Sequence, residues 1–334
     1  MRLLVTAGST HTAAIDGLSA AGASTALLAH TPAADLEILQ HGEPTAAPVV
    51  PVSPTGCPTP AVVTRAVVEF GALDPVAVDA GTARSPAVET VDLGDAPGAD
   101  IREPVAVPEA ADRFDRARAH GRSLPDDAVL VGETIPGGTT TAMAVLRALG
   151  EREAVSSSLP ANPLSLKDEV VTEALTRSDI APGGAAGEPH RAVRAVGDPV
   201  LPAVAGLTVG ALENGASVTL AGGTQLAAAA ALVRHAGVED SLTLATTPFV
   251  AADETARIEA LAGDLDLDLI VTDPGFETSA HPALAAYVAG EAKEGVGMGG
   301  ALAVADRRGI AGATLRERVG TIADRLDADR EATQ

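Results

Sequence analysis

The chain has 334 residues, of which 46% are hydrophobic, so it can form a substantial buried core. Its net charge of −22 argues against nonspecific nucleic-acid binding, which needs a cationic surface, and its single cysteine, Cys57, excludes an intrachain disulfide. The sequence shows no uncharged apolar run of about 18 residues and no apolar N-terminal run of signal-peptide length, so we expect a soluble, cytoplasmic protein.

The first part of the chain, 1–111, is predicted to be a loop-rich α/β unit. Its predicted elements are a strand over 3–6, a glycine turn and a helix before residue 30, an ordered proline-rich loop over 49–63, a helix over 61–70, a strand over 75–79 and a long loop over 81–108. A charged helix over 109–120 leads into the next part.

The middle part, 112–314, alternates short apolar runs with alanine-rich helical patterns. Strands are predicted over 129–131, 217–220, 241–246 and 267–272, and helices over 140–149, 167–175, 200–213, 224–235 and 255–261. This alternation predicts an α/β fold with a doubly wound, mainly parallel, Rossmann-like sheet and a smaller accessory helical part. A charged amphipathic helix over 315–334 is predicted to close the chain.

The segment 129–149, VLVGETIPGGTTTAMAVLRAL, has the pattern of a strand, a tight loop and a helix N-terminus. Gly137 and Gly138 would let backbone N–H groups approach a ligand, and Thr139 and Thr140 could cap the helix. Free N–H groups in a first helical turn favour a phosphate. Glu133, at the end of the strand, would contact a sugar or a base. An ordinary threonine-capped turn without a ligand has the same pattern.

Glycines and one lysine mark further candidate binding residues. Lys167 is one of only two lysines and follows a Ser/Pro/Asn-rich loop, so it is a phosphate partner or a solvated side chain. Gly197 and Asp198 precede a helix, where Asp198 is expected to act as a cap. A second strand–glycine–helix pattern could form another backbone cradle; its residues are Gly222, Gly223 and Thr224.

Glu294 lies in the glycine-rich segment KEGVGMGGAL, whose flexible backbone would allow a close approach to a ligand. It is a candidate general base, although an exposed glutamate in a loop fits the same pattern. The seven histidines show no spacing typical of a metal site, so no metal is predicted. The acidic, lysine-poor composition is typical of halophilic proteins, although a high-GC coding bias would also replace lysine by arginine.

Five of these segments, in this order and spacing, resemble the nicotinate-nucleotide:dimethylbenzimidazole phosphoribosyltransferase family, and in particular its archaeal branch. They are GETIPGGTTTA, LKDEVVTEAL, AVGDPVLPAVAG, VTLAGGTQLAAAAAL and KEGVGMGGAL. The resemblance implies that Lys167 binds phosphate and that Glu294 is the catalytic base. Ile135, Gly138, Asp198 and Ala221 depart from the bacterial pattern, and the bacterial base-pocket loop has no counterpart.

The resemblance implies a pentosyltransferase that moves 5-phosphoribose from nicotinate mononucleotide to a benzimidazole-like base. The product would be an α-ribotide for the lower ligand of a cobamide, made without a cofactor by a cytoplasmic homodimer. Two alternatives stay open: a catalytically silent nucleotide-binding or regulatory homologue, and an enzyme that uses the same donor with another acceptor base.

Overall fold

The computed structural model describes residues 1–19, 25–53 and 55–333. Its strands are β1 (Arg2–Ala7), β2 (Asp74–Asp79), β3 (Thr90–Asp92), β4 (Ala128–Thr134), β5 (Ser217–Ala221), β6 (Leu242–Thr246) and β7 (Leu267–Val271). They form one sheet in the order β3-β2-β1-β4-β5-β6-β7, and each strand is parallel to its neighbours. The predicted α/β class and parallel sheet are therefore confirmed.

The helices cover both faces of the sheet. They are α1 (Thr25–Leu28), α2 (Thr31–His41), α3 (Ala61–Glu69), α4 (Ala110–Ser123), α5 (Gly138–Leu149), α6 (Leu164–Arg177), α7 (Pro189–Val196), α8 (Val200–Glu213), α9 (Thr224–His235), α10 (Pro248–Ala251), α11 (Ile258–Asp264), α12 (Pro282–Val288), α13 (Met298–Arg307) and α14 (Gly312–Thr333). Short 3₁₀ helices lie at His11–Ala14 and Phe276–Thr278.

Two hydrophobic cores lie on opposite faces of the sheet, because successive side chains of a strand point to opposite sides. Leu4 and Val129 belong to the core beneath α4 to α9 and α11. Leu3 and Leu130 belong to the core beneath α2, α3 and α12 to α14. Burial on both faces explains why the strands are continuous apolar runs rather than alternating ones.

The strand order also fixes where a ligand can bind. From β1 the chain builds the sheet outward through β2 and β3, then returns to add β4 on the other side of β1 and continues to β7. The connections therefore reverse direction between β1 and β4. In open parallel sheets, ligands bind at such a switch point, beyond the carboxyl ends of the strands.

Most predicted elements are present, with ends displaced by a few residues. The helices predicted over 61–70, 109–120, 140–149, 167–175, 200–213, 224–235, 255–261 and 315–334 correspond to α3, α4, α5, α6, α8, α9, α11 and α14. The short strand β3 interrupts the loop predicted over 81–108, and α2, α7, α10, α12 and α13 were not predicted.

Some predictions remain untested by the described structure. Three stretches lie outside the described ranges: residues 20–24, within the helix predicted before residue 30, residue 54, within the loop predicted over 49–63, and residue 334. The part boundary at 111/112 stays a prediction; β1, from the first part, pairs directly with β4, from the second. Of the helices within the described ranges, none has the length and apolar character needed to cross a bilayer.

Candidate active site

A cleft opens beyond the carboxyl ends of β4 and β5, on the side predicted by the strand order. It contains ≈ 1050 Å³ of atom-free space, part of it open to solvent. Six segments supply most of its wall: 51–53, 57–60, 133–139, 156–158, 223–225 and 292–296. Segments from distant parts of the chain thus meet at one place.

The first wall is the turn from β4 into α5. Glu133, the penultimate residue of β4, is half-buried in the cleft wall. Gly137 adopts φ 80°, a left-handed conformation, and α5 begins at Gly138. The predicted threonine cap is therefore wrong: the glycine turn starts the helix earlier, so Thr139 and Thr140 lie inside its first turn. Thr139 lines the cleft, but Thr140 is fully buried.

A second segment of the wall is the loop that carries Glu294 and leads into α13. Its Val296 N–H donates to the backbone oxygen of Glu133 at 2.7 Å, which fastens the loop to the end of β4. Two glycines allow this approach, because a Cβ on Gly132 would lie only 2.8 Å from Cα of Gly297. The fold thereby places two glutamates, Glu133 and Glu294, in the wall of the same cleft.

The same loop has a strained backbone. Ala292, at φ 43°, and Val296, at φ 52°, are two of five non-glycine residues with positive φ in the described ranges. Such conformations cost about 1–3 kcal/mol each, and they persist where the surrounding structure enforces them, commonly at functional sites. Here the Thr247 hydroxyl donates to the Lys293 backbone oxygen at 2.6 Å and holds the loop in place.

The Glu294 carboxyl is only partly satisfied by hydrogen bonds. Its Oε1 accepts the backbone N–H of Gly295 at 3.1 Å and of Gly299 at 3.0 Å. Its Oε2 has no hydrogen-bond partner among the described residues. Burial raises the pKa of Glu294 to about 8, although the backbone hydrogen bonds oppose the shift. A carboxyl with this pKa can exchange a proton near neutral pH.

Glu133 has a similarly raised pKa for a different set of reasons. Burial is the largest cause of a pKa of about 8, and repulsion from Asp198, Glu294 and Asp35 adds to it. Asp35, on α2, also lines the cleft and accepts hydrogen bonds from the Thr59 and Thr134 hydroxyls at 2.6 Å each. Burial raises the pKa of Asp35 to about 6.

Asp198 lies behind the cleft wall and is fully buried. Its Oδ1 accepts the backbone N–H groups of Val200 and Leu201 at 2.9 and 3.1 Å, so its predicted role as a cap of α8 is confirmed. Its Oδ2 accepts a hydrogen bond from Gln225 Nε2 at 2.8 Å. Gly197, which precedes it, lies at the end of helix α7.

The two lysines lie near one another at another part of the cleft. Lys167 is the fourth residue of α6, which begins before it at Leu164, and its Nζ donates to the Ser156 backbone oxygen at 2.8 Å. It is fully buried and lies behind the wall. Lys293 lies in the wall, with its Nζ 2.7 Å from Asp253 Oδ2. Burial lowers the pKa of Lys167 to about 7.

The turn from β5 into α9 borders this part of the cleft. Within the described part of the chain, the backbone N–H groups of Gly223, Thr224 and Gln225 donate to no backbone acceptor. Thr224 Oγ1 accepts the Ser156 N–H at 3.3 Å, which joins this turn to the serine segment 156–158. Gly222 lies outside the wall, and its N–H donates to the backbone oxygen of Ala245 on β6 at 2.9 Å.

The cleft thus gathers some of the predicted site residues and not others. Those in its wall are Glu133, Gly137, Gly138, Thr139, Gly223, Thr224 and Glu294. Those outside it are Thr140, Lys167, Gly197, Asp198 and Gly222. The sequence analysis missed Asp35, Gln225, Lys293 and the serine segment 156–158; the scarcity of lysine was a signal for Lys293. In the described ranges, no three His, Cys, Asp or Glu side chains are grouped as metal ligands.

Archaeal relatives match the chain over nearly its whole length. A UPF0284 protein of Halobacterium salinarum is 57% identical over 321 residues, which are 96% of each chain. UPF0284 proteins of Methanosarcina mazei and Methanothermobacter thermautotrophicus are 41% and 42% identical, over 96% and 93% of this chain and 93% and 89% of theirs. The chain belongs to the UPF0284 family. No protein-family model matches it.

The fold of this UPF0284 protein is shared with solved bacterial structures. Crystal structures of nicotinate-nucleotide–dimethylbenzimidazole phosphoribosyltransferase and of CobT, both from Thermus thermophilus, match it with a TM-score of 0.61 and 20% identity. The matches cover 97% of this chain and 82% and 83% of the bacterial chains. At this identity the likeness shows a common fold, in agreement with the resemblance found in the sequence.

Proposed function

We propose that this UPF0284 protein is a phosphoribosyltransferase that moves 5-phosphoribose from nicotinate mononucleotide to a benzimidazole-like base. The observation that carries the proposal is the pair of half-buried glutamates, Glu133 and Glu294, which face one cleft at the switch point of the sheet. The fold shared with the Thermus enzyme supports it further. The product would be an α-ribotide for the lower ligand of a cobamide.

The charges of the cleft fit the donor. Nicotinate mononucleotide carries a cationic pyridinium ring at C1 of the ribose and a phosphate at its other end. A cation near Glu133 and Glu294 would favour their ionised forms and offset the cost of burying them. Gly137, Gly138 and Thr139 border the ribose, and Lys167 supports the part of the cleft that receives the phosphate.

The chemistry needs a carboxylate close to C1. As the C1–N bond to nicotinate breaks, its electron pair neutralises the pyridinium, and positive charge develops on the ribose. The ionised Glu294 stabilises that charge electrostatically. A ring nitrogen of the incoming base attacks C1 from the opposite face, which inverts β to α, while Glu294 accepts the N–H proton of that base. Glu133 orients the ribose.

Incubation of the protein with the donor and different bases also tests two alternatives. A silent nucleotide-binding homologue would bind the donor without releasing nicotinate. An enzyme with a different acceptor would release nicotinate with another base; the described cleft wall contains no aromatic side chain on which an aromatic base could stack. That composition leaves the acceptor set by shape and by polar contacts.

The decisive experiment incubates the protein at high salt with nicotinate mononucleotide and a panel of benzimidazoles and purines, and resolves the products by mass. Glu294→Gln should abolish most turnover, whereas Glu259→Gln, which removes an exposed carboxylate on α11, should have no effect. Donor binding without release of nicotinate for any base would contradict the transferase and favour the silent homologue. Sedimentation would test the predicted homodimer.

A further inference from the structure

Every lysine of this chain is buried at one end of the cleft. Lys167 is fully buried and Lys293 is 8% exposed, although the chain has 45 acidic residues, many of which could pair with lysines at the surface. Burying an ammonium group is costly unless a partner compensates for the lost hydration. Because the sequence contains no other lysine, this arrangement concentrates its ammonium groups where a ligand can use them.

One carboxylate links the two lysines. Asp253 Oδ2 lies 2.7 Å from Lys293 Nζ and accepts the Ser156 hydroxyl at 3.0 Å. The backbone oxygen of Ser156 in turn accepts a hydrogen bond from the Lys167 ammonium group. The other oxygen, Oδ1, is held by the Thr255 backbone N–H at 3.0 Å. The group therefore contains two positive charges and one negative charge when all three side chains are ionised.

Lys293 keeps donors that the rest of the protein does not use. An ammonium group has three N–H donors, and Asp253 accounts for the single hydrogen bond that Lys293 Nζ makes in the described structure. Ser157 and Ser158 lie in the same wall, and the backbone N–H groups of the turn into α9 adjoin it through Thr224. A dianion placed here would meet charge and donors together.

We propose that Lys293 directly contacts the phosphomonoester of the donor, and that Asp253 is the counterion which holds Lys293 in the free protein and competes with that phosphate. Lys167 then acts from behind the wall, through Ser156, as the second positive charge. This inference rests on the proposed function for the identity of the donor, but the ligand class that it requires is any ribose 5-phosphate.

Removal of each partner should change phosphate affinity in opposite directions. Lys293→Met keeps the length of the side chain and removes its charge, so it should weaken ribose 5-phosphate binding at least tenfold by calorimetry at pH 6.5. Asp253→Asn keeps the size of the side chain but frees Lys293 from its counterion, so it should tighten binding threefold or more. Ribose without phosphate should bind all variants alike.

A charge control is available outside the cleft. Arg152 is partly exposed and pairs with Asp264, so Arg152→Met removes one positive charge without touching the cleft, and it should change affinity less than twofold. Equal affinity of the wild type and Lys293→Met would overturn the proposal. If Lys293→Met does not fold, Asp253→Asn decides: tighter binding supports the proposal, and unchanged or weaker binding refutes it.

The outcomes separate this inference from the proposed function. Lys293-dependent binding of ribose 5-phosphate without any transfer of phosphoribose would support the phosphate contact and refute the transferase. Transfer with an unchanged KM for nicotinate mononucleotide in Lys293→Met would support the transferase and refute the contact. Failure of the wild-type protein to bind ribose 5-phosphate would refute the contact directly.

Discussion

The cleft has an acidic part, lined by Glu133 and Glu294, and a basic part, beside Lys167 and Lys293. Burial shifts the pKa values of the two glutamates and of Lys167 in opposite directions. The pKa values of Glu133 and Glu294 rise to about 8, whereas the pKa of Lys167 falls to about 7. Desolvation is the largest cause in all three cases, because burial disfavours whichever form carries charge. The cleft by itself thus disfavours the charged forms of Glu133, Glu294 and Lys167.

These opposite pKa shifts indicate which charges a ligand must carry to offset the desolvation of the side chains. A cation beside Glu133 and Glu294 and an anion near Lys167 would each favour the charged form of those side chains. A donor with a pyridinium at one end and a phosphate at the other has both charges in one molecule. The following predictions separate the contributions of the two parts.

Loss of the Glu294 carboxyl should have the largest effect. Glu294→Gln should leave the fold and donor binding intact but lower turnover by about 10² or more, the typical loss for a positioned base. In the wild type, kcat/KM should rise as the pH approaches the Glu294 pKa of about 8, because the free enzyme must lose the Glu294 proton to act, and loss of the Lys167 charge, whose pKa is about 7, should limit that rise. Wild-type turnover in the mutant across the whole pH range would show that Glu294 is not the base.

Loss of the Lys167 charge should have a smaller effect, on binding rather than on chemistry. Lys167→Met should weaken nicotinate mononucleotide binding about tenfold, near the lower limit for a charge-assisted contact, because Lys167 lies behind the wall and acts through Ser156. Calorimetry at low and high salt measures the change, and a lowered kcat with unchanged affinity would contradict it. Lys293→Met should have the larger effect of the two.

The acidic part of the cleft could be located from the sequence more readily than the basic part. Glu133 and Gly137 belong to one continuous strand–turn–helix pattern, so their closeness follows from local structure. Lys293 and Asp253 meet only because the segment after α10 and the loop before α13 pack together, and Ser156 comes from a third segment. No local pattern encodes such a contact between distant segments.

Helix α13 was missed for a related reason. Gly299 and Gly300 lie in its first turn and lower its intrinsic helix propensity. The structure needs them because a Cβ on Gly300 would lie 2.4 Å from the Ala221 Cβ on β5. Packing of α13 against the sheet therefore requires glycines that the local pattern indicated only as a flexible turn. The loop before α13 carries Glu294 and is hydrogen-bonded to the end of β4.

The ionised Glu133 carboxyl should lower the free energy of unfolding, because it is buried in the cleft wall. Its pKa is raised from 4.5 to about 8 in the folded protein, so the fold favours the neutral carboxyl. The associated stability is fully present below pH 4.5 and is lost as the pH rises towards 8. Glu133→Gln should therefore be more stable than the wild type by roughly 1–3 kcal/mol at about pH 8.5, with little difference at about pH 4.5.

Denaturant melts of the two proteins at both pH values measure this effect. Glu259→Gln serves as the matched control, because it removes an exposed carboxylate and should leave the pH dependence unchanged. Equal pH dependence of wild type and Glu133→Gln would mean that Glu133 ionises as readily in the cleft as in the unfolded chain. The effect should also shrink in Glu294→Gln, which removes one of the repelling carboxyls.

Salt should act on the surface rather than on either part of the cleft. At a net charge of −22 the exposed carboxylates repel one another, and the screening length falls to about 3 Å at 1 M salt. The melting temperature should therefore rise as KCl increases from about 0.1 M to molar concentration, by the same few degrees in the wild type and in Glu133→Gln. Buried charges are screened much less, so the stability difference between these two proteins at about pH 8.5 should survive in molar KCl.

A melting temperature that does not change with KCl would show that the acidic composition is no adaptation of stability to salt. A difference between the two proteins that vanishes in KCl would place Glu133 in contact with bulk solvent.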